Sequence, residues 1–145
     1  MRTRNLIVTF LLASLVGILA IACSAKTPAK INVDKDISVA VYSTTEAEGA
    51  IDTVSPCLLE ENVHITELLR YPDNDEITMP FTLSDTIKYA EITGKNLEKR
   101  IAISLNGEIV STPVVKMKIS NGACSVLLTK EQIAKFFPGL QIEDL

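Results

Sequence analysis

From Leu6 to Ala22 the chain carries no charge, and Arg2 and Arg4 stand directly before that run. This stretch limits the possible folds more than any other feature. At 17 residues it lies at the lower limit for a spanning helix, which usually needs about 20 residues. Positive residues before an apolar run form the n-region and h-region of an export signal. Such a segment is removed or held in lipid, so the folded part must be built from residues 23–145. That length suits one domain. The overall hydrophobic content of 47% is raised by the leader. Without Arg2 and Arg4, 12 of the 14 basic residues remain against 18 acidic ones, a net charge of −6. A surface of that sign repels anionic headgroups and lacks the basic stripe of a nucleic-acid binder.

The end of the run carries a second signal. Leu19-Ala20-Ile21-Ala22-Cys23 resembles a bacterial lipobox, with Ala20 where the pattern prefers Leu, Val or Ile. The resemblance implies cleavage between Ala22 and Cys23, diacylglycerol on the Cys23 thiol and a further acyl chain on its freed amine. Two or more chains hold a protein stably on a membrane. The expected organisation is a signal peptide over residues 1–22 and a lipidated, flexible tether over 23–36. A single domain over 37–145 completes it. Ser24 fits sorting to the outer membrane, facing the periplasm.

Beyond the tether, Ile37, Val39 and Val41 alternate as in a strand. Residues 44–56 are weakly patterned and acidic, and read as loop with some helical turn. Val63-His64-Ile65 opens a second strand running towards Tyr71, and Pro72-Asp73-Asn74-Asp75 is a turn. The clearest strand covers residues 76–83, with Ile77, Met79, Phe81 and Leu83 on one face. Pro80 has no N–H to give, which places that strand at an edge or a bulge. Ser84 and Asp85 offer helix caps. Ile87, Ala90, Gly94 and Leu97 fall on one helical stripe, the expected buried face. Residues 101–105 read as a strand. Asn106-Gly107 is a type I′ hairpin signal, since both turn positions need positive φ. Asn121-Gly122 offers another turn. Thr129 and Gln132 are spaced as a capping box before a short helix that buries Ile133, Phe136 and Phe137. The expected fold class is α+β: a largely antiparallel sheet with helices on one face.

The middle of the chain resembles a known family. Ala90-Glu91-Ile92-Thr93, Asn96-Leu97, Lys99-Arg100-Ile101-Ala102-Ile103, Leu105-Asn106-Gly107 and Ser111-Thr112-Pro113-Val114-Val115 are similar to the head subdomain of the first periplasmic domain of SecD-type translocase subunits. Ile119 and Gly122 fit its next segment, and residues 129–137 fit its closing helix. The best match covers 76–137. Glu98 stands where the family usually places Gly. The resemblance implies the fold and an extracytoplasmic location. It also implies a protein or extended-peptide partner. It does not imply proton-driven pumping, since the base subdomain and intramembrane charged groups are missing.

No catalytic constellation emerges from the residue types, and the chain is expected to be a non-enzymatic binding module without a cofactor. His64 is the single histidine, so neither a His-pair zinc site nor more than one His-dependent centre can be built. Were its segment helical, Glu61 and Glu67 would share its face. Asp73, Asp75 and Glu76 lack the further ligands and the Gly of a calcium loop. Cys57 and Cys124 remain after Cys23 is assigned to lipid. A disulfide between them and two separate buried thiols are both open. A structural or sensory lipoprotein and an enzyme with an unfamiliar site are the alternatives to the binding module. The Pro80 strand and the Asn106-Gly107 turn are the candidate docking surfaces.

Overall fold

The computed structural model describes residues 27–47, 50–54, 56–73 and 75–141. Ala22 and Cys23 lie outside them. The elements are β1 (Ala29–Ala47), β2 (Ala50–Val54), β3 (Leu59–Arg70), β4 (Ile77–Thr82), α1 (Thr86–Lys95), β5 (Ile101–Leu105), β6 (Glu108–Ser111), β7 (Ala123–Leu128) and α2 (Lys130–Phe136). Seven strands form one antiparallel sheet in the order β6-β5-β1-β3-β4-β7, with β2 paired to the far end of β1. The sheet curls until β6 and β7 approach each other. The architecture is α+β, as the alternating patterns imply.

The core follows from those patterns. Ile37, Val39 and Val41 of β1 meet Val63, Ile65 and Leu68 of β3, Ile77, Met79 and Phe81 of β4, and Ile101, Ile103 and Leu105 of β5. Tyr89 and Ile92 of α1 and Ile133 and Phe136 of α2 join the same cluster. Each such side chain contributes roughly 1.5–3 kcal/mol when fully buried. Asp85 caps α1 by accepting from the Lys88 N–H at 3.0 Å. Glu61 of β3 adds a carboxylate to the same helix start, accepting from the Ser84 N–H at 2.6 Å. The Thr129–Gln132 capping box is present in both directions at the start of α2.

Four expectations need correction. Residues 29–36, expected as part of a flexible tether, are strand: β1 begins at Ala29, where Ala29 pairs with Arg70 and Lys30 with Leu69. The described part of residues 44–56 is largely strand instead of loop with helical turn: β1 runs on to Ala47, and Ala50–Val54 form β2, antiparallel to it. The stripe Ile87–Ala90–Gly94–Leu97 is not the buried face of α1. Ile87 is 83% exposed and Leu97 47%, and the helix instead buries Tyr89, Ile92 and Thr93. Thr93 tolerates burial because its hydroxyl donates to the Tyr89 carbonyl at 2.9 Å and accepts from the Ile119 N–H at 3.0 Å. Finally, β4 is an interior strand. Its bridges to β3 are confined to Leu69↔Thr78 and Arg70↔Ile77, while β7 pairs along its whole length. Pro80 lies past that short ladder, where its missing N–H breaks no bond to β3.

Candidate interaction surface

Two tight backbone positions hold the surface around α1. The β5–β6 hairpin turns at Asn106 (φ 49°) and Gly107 (φ 86°), the pair of positive φ values a type I′ turn demands. Asn106 also extends the sheet: its N–H donates to the Ser38 carbonyl at 2.8 Å, and its Oδ1 accepts from the Ser38 N–H at 3.0 Å. The turn is therefore fastened to β1 and offers no free edge. At the other end of α1, Glu98 adopts φ 62°, and its N–H donates to the Val115 carbonyl at 2.8 Å. Val115 in turn donates to the Lys99 carbonyl at 2.9 Å. These bonds lay residues 112–120 beside the helix.

The result is an apolar groove system on both sides of α1. On one side Tyr89, Ile101, Ile103, Val115, Met117 and Cys124 line a cavity of about 300 Å³. On the other, Leu58, Ile92 and Asn96 with Lys88, Glu91 and Lys95 line one of about 370 Å³. Ile87, Leu97 and Met117, the last 69% exposed, stand on the helix and on the segment beside it. Burial pushes the Tyr89 phenol well above its usual range, with Cys124 adding to the rise. Burial also raises the Cys124 thiol. Both groups are neutral near pH 7, so the cavity floor is uncharged. A hollow with an uncharged floor and exposed Met117 in its lining suits the burial of another apolar group.

The other sequence candidates fall elsewhere. His64 lies on strand β3, not on a helix, and does not meet Glu61 or Glu67. Its Nδ1 contacts Asp36 at 2.7 Å and its Nε2 contacts Asp34 at 3.0 Å. The hydrogen bond to Asp36 raises its pKa, and the Asp34 charge adds to this. An imidazole whose two nitrogens both face carboxylates favours the imidazolium form and is poorly placed as a base. Asp75 is occupied by Arg70 and by Lys130 at 3.9 Å. Among the described residues, no group of three or more His, Cys, Asp or Glu is arranged to hold a metal ion.

The disulfide left open between Cys57 and Cys124 is not formed; both thiols are free. Cys57 donates to the Leu59 carbonyl at 3.3 Å, just before β3. Cys124 is opposite Phe81 on β7. Cys57 is exposed and Cys124 is half-buried, so the alternative of two buried thiols does not hold for Cys57 either.

The family described as SecDF, P1 head subdomain, matches residues 59–134, more than half of the chain. The chain belongs to this family. No curated protein sequence matches it. Two solved SecDF structures are similar. One, described as a membrane component that enhances protein export, is 15% identical with a TM-score of 0.49. The match covers 63% of this chain and 55% of that one. The other, SecDF in a super-membrane-facing form, is 16% identical with a TM-score of 0.50, covering 74% of this chain and 17% of that one. The chain thus spans about half of one relative and under a fifth of the other. The likeness concerns the fold of the head. Within the described residues, no helix is long and apolar enough to cross a membrane.

The P1-head assignment gives Glu98 a meaning. It occupies the place where the SecD resemblance leads one to expect Gly, and the backbone there is left-handed, the conformation glycine adopts without steric cost. The exposure of Ile87 and Leu97 was hidden in the sequence because two stripes compete along α1 and its end. The signal for the buried one is Tyr89-Ile92-Thr93, at i, i+3 and i+4. It is hidden because Thr93 counts as polar.

Proposed function

We propose that this P1-head protein is a non-enzymatic envelope lipoprotein, held by acylated Cys23, that binds apolar side chains of a protein or extended polypeptide. The observation that carries the binding role is the hollow floored by Tyr89 and Cys124 with exposed Met117 in its lining, together with a second hollow that exposed Ile87 lines with Lys118. Monomeric proteins seldom spend large apolar residues on water in one neighbourhood without a use for them. Membership of the SecDF P1 head family supports a polypeptide as partner. The lipobox-like junction at Ala22-Cys23 supports the anchor, and Ser24 supports an outer-membrane position facing the periplasm. The role of an enzyme is not supported by His64, which is engaged by two carboxylates on an exposed strand face.

The test is binding of a reduced, carboxymethylated polypeptide that cannot fold, followed by fluorescence anisotropy. Ile87→Ser with Met117→Ser should weaken binding by at least about tenfold, since each fully buried apolar side chain contributes about 1.5–3 kcal/mol. Both positions are exposed, so the fold should persist. Undiminished binding in the double variant would remove this surface from the account.

A further inference from the structure

The point where the chain joins the sheet decides which end of the domain meets the bilayer. This inference rests on the lipid anchor proposed at Cys23. β1 begins at Ala29, so residues 24–28 alone separate Cys23 from the sheet. The six steps from Cys23 to Ala29 span at most about 20 Å. Part of that length is used in crossing the headgroup layer, about 5–8 Å in each leaflet.

Because Ala29 pairs with Arg70, the same end carries the β3–β4 turn, where Tyr71, Pro72 and Asp73 are exposed. From there β1 runs away. Thr44, which donates to the Arg100 carbonyl at 2.8 Å near the end of α1, lies 15 residues further along the strand. At the usual rise that is about 50 Å. The helix α1 and residues 112–120 belong to this distant half. Leu97 bridges to Val115 and Arg100 to Val114, and Arg100 pairs with Glu46 at 3.2 Å.

A short tether still permits the domain to lie on its side, but the outer face of the sheet opposes that. It presents Asp34, Asp36 and Glu60, all exposed, and His64 offsets at most one of these three charges. Carboxylates pressed against anionic headgroups are repelled and lose hydration. The near end also carries exposed carboxylates, Asp73, Asp75 and Glu76, but Arg70 and Lys130 are set against Asp75 there, and apolar residues stand beside them. Lys30, Leu69, Thr78 and Leu127 form one row across β1, β3, β4 and β7. Leu127 is 49% exposed and Tyr71 36%. Lys130 lies by Asp75 at the same end. A tyrosine and a leucine flanked by long lysine stems match the chemistry of the water–lipid boundary.

We infer that the domain stands on the bilayer by this end, with Tyr71 and Leu127 at the level of the lipid headgroups. Ile87, Leu97 and Met117, in the distant half, are thereby held away from the lipid and open to the aqueous side.

The chain contains no tryptophan, so Tyr71→Trp and Leu97→Trp each provide a single reporter at an exposed position. The full-length protein would be purified from membranes and reconstituted into vesicles of phosphatidylcholine and anionic phosphatidylglycerol, with and without a nitroxide-headgroup lipid. The same preparation would be checked for acylated Cys23 by mass spectrometry. Tyr71→Trp should lose most of its emission to the nitroxide while Leu97→Trp keeps its own. A Gly/Ser spacer of about 20 residues after Ser24, flexible and long enough to free the domain, should restore the Tyr71→Trp emission. Equal quenching at both positions would mean that the domain lies flat. Absence of quenching at Tyr71→Trp in acylated protein would mean that it stands clear of the lipid. Either result overturns the orientation and leaves the anchor intact. A mature chain without acyl groups would overturn the anchor and the orientation together.

Discussion

Gly122→Ala tests how the strand β4 is joined to the start of β7. Gly122 adopts φ 74°, and its carbonyl accepts from the Leu83 N–H at 2.9 Å. A Cβ at this position would overlap the Leu83 carbonyl oxygen, with the Thr86 methyl at 3.3 Å as a further obstacle. The first obstacle is backbone, at the exit from β4 and before the cap of α1, so no side-chain rotation relieves it. The left-handed conformation alone costs a non-glycine residue about 1–2 kcal/mol. Separating the two backbones strains or breaks the Leu83–Gly122 hydrogen bond, a further loss of about 0.5–1.5 kcal/mol. The combined loss is about 1.5–3.5 kcal/mol. Gly107 supplies the internal comparison. Its φ is 86°, yet nothing lies within 4 Å of a Cβ built there. Gly107→Ala should therefore cost only the conformational part, about 1–2 kcal/mol. Urea titrations of a protein starting near Thr27 measure both, provided that the m-values agree. Equal losses in the two variants, or a neutral Gly122→Ala, would refute the reasoning, because the backbone contact at Leu83 would then carry no cost.

Glu98→Gly should stabilise the domain by about 0.5–1 kcal/mol in the same titration. Relief of the left-handed strain outweighs the added freedom of the unfolded chain, and the ion pair to Lys116 at 2.9 Å is exposed and worth little. The His64 cluster should give a pH dependence of one sign. The folded-state pKa is raised above 6.5, so the stabilisation is complete below about 6.5 and is lost as pH rises through the folded value. Urea midpoints followed upward from about pH 6 should decline by more in the parent than in His64→Ala. A steeper decline in the variant would contradict the assignment.

Much of this fold was legible because local signals agreed with tertiary needs. Residues 77–83 alternate so cleanly that the buried set Ile77, Met79, Phe81 and Leu83 could be read directly. Asn106-Gly107 and the Thr129–Gln132 box are written in residue types that have few other uses. The start of β1 was hidden for a physical reason. Lys30, Asp34, Lys35 and Asp36 are exposed there, and the register shifts between Asn32 and Lys35, so charge and a bulge obscure the strand formed by Ile31, Val33 and Ile37. Asp34 and Asp36 consequently looked like parts of a tether, although they hold His64. The candidate surface was the least legible part. Exposed Ile87 and Leu97 follow the helical period as well as the buried Tyr89 and Ile92 do, and periodicity alone cannot say which stripe the sheet covers. The choice was made by the Thr93–Ile119 bond and by the sheet's curl, both contacts distant in sequence.

Lipidation of Cys23 is the claim on which the anchor, the orientation and the envelope location all depend. Intact-mass and peptide mass spectrometry of the protein extracted from bacterial membranes would decide it. The predicted result is a mature chain that begins at Cys23 and carries a diacylglyceryl thioether, with Cys23→Ser left unprocessed or only loosely held. A mature chain that still begins at Met1, or an unmodified Cys23 thiol in membrane-bound protein, would contradict the account.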